Sequence, residues 1–153
     1  MDDVALMRAL HVLAIVHWIG GLGFVTLVVL PLAAAEGRLA LFEIVERRFS
    51  AQVRLSVPVA GLTGLWMAWR LDLWESFVDP ASWWLAAMAG LWLVFMLILF
   101  VVEPRLQARF AGLVRARPDA ALRIVTFAHW GLLALAAVTA FGVVGGVHGL
   151  FAR

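Results

Sequence analysis

Four long runs without a single Asp, Glu, Lys or Arg divide this chain: 9–35, 55–69, 80–102 and 124–152. A helix crosses a ~30 Å hydrocarbon core in roughly 20 residues. The second run is short, but Arg70 and Asp72 stand at its end, where a long side chain snorkels to the interface. The pattern predicts an all-α integral membrane protein, a four-transmembrane-helix up-down bundle with the lipid bilayer as its surroundings. It forms a single domain, 1–153, with helices at about 6–34, 50–74, 81–103 and 120–150.

Composition agrees. Hydrophobic residues make up 65% of the chain and mean hydropathy is +1.00, far outside the range of water-soluble domains. The opening "MDD" and the length of the first run argue against a cleaved signal peptide. There is no cysteine, which excludes disulfides, iron–sulfur clusters and covalently attached c-type haem. The net charge is only +2, and no nucleic-acid partner is read from it.

The arginines predict an orientation. Arg38, Arg47, Arg48 and Arg54 follow the first run and Arg105, Arg109, Arg115, Arg117 and Arg123 the third, whereas 71–82 holds Asp72, Glu75 and Asp79 and no base. By the positive-inside rule the two arginine-rich connections face the cytoplasm of a bacterial inner membrane, and both termini are periplasmic. Trp69, Trp74, Trp83 and Trp84 then form an outer aromatic belt.

Pro31 and Pro104 are expected near segment ends, Pro58 inside the second helix, and Asp119 as the cap of the fourth. "EIVERRFSAQVRL" has apolar residues at helical spacing, so the second helix is expected to begin as an amphipathic turn. Thr26, Thr63, Thr126 and Thr139 are scattered and are expected to bond their own backbones.

The four histidines lie in the first and last runs, and an ionisable group at membrane depth needs a partner. At about 1.5 Å per residue, His11 and His148 share a height near the outer surface, with His17 about 9 Å deeper. Two histidines at one height on antiparallel helices are what a b-type haem needs for its axial ligands. Gly145 and Gly149 flank His148, and Gly20 and Gly21 follow His17. They suit either a flat macrocycle or helix–helix contact, the commoner use. Arg70 is a candidate for a haem propionate, although snorkelling alone explains it. His17 is a candidate second-site ligand or proton carrier, and His129 a helix-to-helix hydrogen bonder. Met67 and Met88, near the depth of His17, suit core packing better than ligation.

"ALHVLAIVHWIGGL" resembles the first helix of the HemJ-type protoporphyrinogen oxidases and, more distantly, the membrane domain of copper-resistance protein D. The matching residues are His11, Trp18, Gly20 and Gly21, followed by Glu46, Arg47, Arg48, Pro58, Gly64 and Trp66 of "VERRFSAQVRLSVPVAGLTGLW". The resemblance covers the first half well and the rest in outline. It implies a four-helix fold and a b-type haem with His11 as ligand. The chain departs from the family where a helix 3 lysine is expected, reading "WWLAAMAGL" with Met88 near that position, and it has no tyrosine.

These observations lead to a membrane-embedded b-type haem protein of the electron-transfer type. His11 and His148 are the axial candidates, Arg70 and Gly145 line the cofactor, and quinone or a periplasmic redox protein is the partner. Three alternatives remain open: a HemJ-like oxidase, a copper-binding protein using His11, His17 and His148, and a structural subunit whose histidines only pack. Imidazole suits iron and copper alike.

Overall fold

The computed structural model describes residues 2–150. Helix α1 (Asp2–Phe24) passes through a π-turn (Val25–Val29) into α2 (Leu30–Ala35), and α3 (Leu39–Arg70) returns antiparallel to it. Two short 3-10 turns, Glu75–Phe77 and Pro80–Ser82, lead into α4 (Trp83–Leu97). A second π-turn (Ile98–Val102) joins α4 to α5 (Glu103–Ala116), and α6 (Pro118–Val147) returns. Among the described residues there is no strand.

Three stretches are long and apolar enough to cross a membrane: Asp3–Ala35, Pro80–Leu106 and Pro118–Val147. They make this a multi-pass membrane protein. Its surface agrees, since Phe127 is 83% and Leu13 66% exposed, a surface suited to lipid rather than water. Helix α3 differs because its charge-free part, 55–69, shares the helix with Glu43, Glu46, Arg47, Arg48 and Arg54.

Several expected boundaries move. The second helix starts at Leu39 rather than near 50, so the expected amphipathic turn is a long half-helix. It is held because Phe42, Val45, Phe49 and Val53 pack against α1 and α2. It stops at Arg70, and Asp72 turns the chain with φ 52°. The third helix does not end at 103 but runs through the π-turn into α5. Asp119 does not cap α6; Arg117 holds that position without a side-chain bond, and Asp119 sits in the first turn, where its charge suits the helix dipole. Helix α6 ends at Val147, not 150.

The prolines explain the π-turns. Proline lacks an N–H and its ring meets the carbonyl four residues back. For Pro31 that residue is Leu27 and for Pro104 it is Phe100, each inside a π-turn. The wider i→i+5 pattern absorbs the missing donor, so the helix continues past each proline: Pro31 stands near the segment end at Ala35, as expected, and Pro104 near the end of its apolar span at Leu106, with α5 continuing to Ala116.

Two clusters form the core. One gathers Ala14, Trp18, Val57, Ala60, Leu91, Phe95 and Ala136 from α1, α3, α4 and α6. The other gathers Val25, Val29, Leu30, Ala33, Phe42 and Val125 nearer the hairpin tips. Glycines seat aromatic rings: a Cβ on Gly142 or Gly146 would enter the Trp83 or Trp84 indole, and one on Gly61 would enter Trp92. Trp92 Nε1 donates to Val57 O at 2.9 Å. Thr26, Thr63 and Thr139 donate to Leu22, Val59 and Leu135 carbonyls, as expected.

Candidate functional site

The polar side chains of α1 meet those of α3 along one seam. At its outer end Arg70 Nε lies 3.6 Å from Asp3 Oδ2. Two turns along, His11 Nδ1 is 2.7 Å from Ala60 O and 3.1 Å from Thr63 Oγ1. Two turns further, His17 Nδ1 is 3.1 Å from Ser56 Oγ and its Nε2 3.2 Å from Gln52 Oε1. Each step down α1 matches a step of two turns back along α3, so one antiparallel register makes all three contacts.

The two histidines are held differently. A carbonyl only accepts, so His11 carries its proton on Nδ1 and donates it to Ala60. Thr63 donates its own proton to Val59 O at 2.7 Å and therefore receives from His11. The Nε2 lone pair of His11 is left bare. His17 instead faces the Gln52 carbonyl oxygen with Nε2 and the Ser56 hydroxyl with Nδ1, so both its nitrogens are engaged. Gly64 makes room for the His11 ring: a Cβ there would lie 3.0 Å from His11 Cε1.

The other histidines bond within their own helix. His129 Nδ1 donates to Val125 O at 3.0 Å and meets the Phe42 ring edge-on at 5.8 Å. His148 is the exposed C-cap of α6 and donates from Nδ1 to Val144 O at 2.8 Å. His11 thus faces α3, while the polar contact of His148 stays in α6; no hydrogen bond or ring contact among the described residues joins them. Gly145 is buried in α6. Among the described residues, no three His, Asp or Glu side chains converge as a metal ion would require.

Sequence reasoning missed two features. Trp18 is 3% exposed, packed edge-on to Phe95, and its indole N–H has no acceptor among the described residues. Such a donor costs about 1–3 kcal/mol. Toward the hairpin tips, Arg54 pairs with Glu103 at 3.3 Å. Glu46 stands near both Glu103 and Glu43. The sequence signal was an acid one helical turn from another, Glu43 and Glu46, on a helix whose far side is apolar.

Comparison with protein-family models, with curated proteins and with solved structures found no match to this chain.

Proposed function

We propose that this chain crosses the membrane four times, α3 included, and holds a b-type haem for which His11 supplies an axial nitrogen. The observation that carries this reading is the 2.7 Å bond from His11 Nδ1 to Ala60 O. Metal-bound histidines usually donate their other N–H to a carbonyl or carboxylate, which fixes the ring and raises the basicity of the ligating nitrogen. His11 is held in that way. His148, whose Nδ1 likewise bonds a carbonyl, Val144 O, would be the second residue to hold the haem in this proposal. Arg70 already has Asp3 as its counter-ion, so its part is to hold the outer ends of α1 and α3 together. Gly145 contributes by keeping its face of α6 free of a side chain.

A haem between two imidazoles supplies one-electron exchange between ferric and ferrous iron. The chain's own residues orient His11, through Ala60, Thr63 and Gly64, and exclude water from its Nδ1. The electron partner in this reading is quinone or a periplasmic redox protein, in a bacterial inner membrane with both termini outside. His17, with both nitrogens engaged, fits a hydrogen-bonded proton carrier. It does not fit a copper ligand, which favours haem over a copper site built on His11, His17 and His148.

A visible spectrum of detergent-purified protein tests the reading. A Soret band with a low-spin reduced spectrum is expected. His11→Ala shifts it to high spin or removes it, and His17→Ala leaves it intact. No Soret band in protein purified from haem-replete cells, or loss of haem in His17→Ala with His11→Ala unchanged, overturns it.

A further inference from the structure

Outside the polar seam, α6 and the end of α2 border an open surface groove of about 480 Å³. Ala34, Leu122, Arg123, Thr126, Phe127 and Trp130 line it. Its size is within the ~300–1,000 Å³ range of small-molecule sites, and it opens on the surface that α6 turns outward. The five α6 residues fall on one helical stripe. Arg123, the one charged residue among them, stands near the arginine-rich hairpin ends, and from there the stripe runs about 10 Å toward the middle of α6. Thr126 comes next, then Phe127 and Trp130, both exposed. Among the described residues, Arg123 meets no carboxylate within ion-pairing distance.

The groove therefore has a cation at its end near the membrane surface and an apolar floor along its length. From the geometry we infer that it is a binding site for an anionic phospholipid of the leaflet on the arginine-rich side. The lipid phosphate sits on the Arg123 guanidinium, whose paired N–H groups match two phosphate oxygens. One acyl chain lies along Phe127 and Trp130. Charge complementarity selects an anionic lipid over a zwitterionic one, whose choline or ethanolamine brings a second cation to Arg123. The order of the lining, cation then hydroxyl then aromatic, follows a phospholipid from headgroup to chain. A free anion would use only the first of these. The inference is independent of the histidines and of any cofactor.

Native mass spectrometry of the full chain in detergent, with equal dioleoyl phosphatidylglycerol and dioleoyl phosphatidylcholine, tests it. One retained phosphatidylglycerol is expected, and the preference falls about fivefold in Arg123→Gln, the effect of one basic residue at an anionic surface. Thr126→Trp, which fills the groove, removes retention of both lipids. Dihexanoyl phosphatidylglycerol, which lacks the long chains, and inorganic phosphate compete poorly. Equal retention of the two lipids by the unmodified chain, or an unchanged preference in both variants, overturns the site. Effective competition by phosphate alone reduces it to an anion site without a lipid. Circular dichroism and size exclusion establish that each variant is folded; if one is not, the other decides.

Discussion

The two helical hairpins of this protein are closed by different chemistry. Along α1 and α3 a polar seam runs beside the apolar packing, which includes Phe49 seated on Gly21: Asp3 with Arg70, His11 with Ala60 and Thr63, His17 with Ser56 and Gln52. Along α4 and α6 aromatic rings sit on glycines, Trp83 on Gly142 and Trp84 on Gly146. In lipid there is no hydrophobic drive between helices, so packing and hydrogen bonds must hold them. Between α4 and α6 the seated indoles supply that packing. Between α1 and α3 imidazoles bond from one helix to the other, whereas His129 and His148 bond within α6, which points to α1 and α3 as the working pair.

Substitutions at equivalent glycines should separate the hairpins most sharply. Gly146→Leu drives a side chain into the Trp84 indole and should lower stability by about 1–3 kcal/mol, with the spectrum of any folded fraction unchanged. Gly64→Ala places a methyl 3.0 Å from His11 Cε1 and should cost less stability while altering the visible spectrum expected under the proposed function. Thermal melts and absorption spectra of the two variants check this. A Gly64→Ala protein with an unaltered spectrum means that the His11 ring is not held for a ligand.

The smallest expected effect is within the seam. A double-mutant cycle of His17→Ala with Ser56→Ala should give a coupling of about 0.6 kcal/mol, the average for hydrogen bonds between membrane helices. A coupling near zero, measured by unfolding in mixed micelles, would leave His17 bound by Gln52 alone.

Much of this was legible before any contact was known. Charge-free runs of 27, 23 and 29 residues dictate membrane-spanning helices whatever they pack against, because no other secondary structure satisfies the backbone of a single segment in lipid. The backbone bonding of Thr26, Thr63 and Thr139 follows likewise from local geometry, and so does the need of His11 and His17 for partners. The identity of those partners was hidden. Helices α1 and α4 are apolar nearly all round, so their sequences carry no periodic stripe to say which face turns inward. Only the packing decided that His11 turns to Ala60 and Thr63 of α3, that the glycines of α6 receive tryptophans, and that Arg123 is left at the end of an open groove. The prolines teach the same lesson: Pro31 and Pro104 lie near the ends of their apolar segments, as read, but the i→i+5 turn that carries the helix past each belongs to the fold.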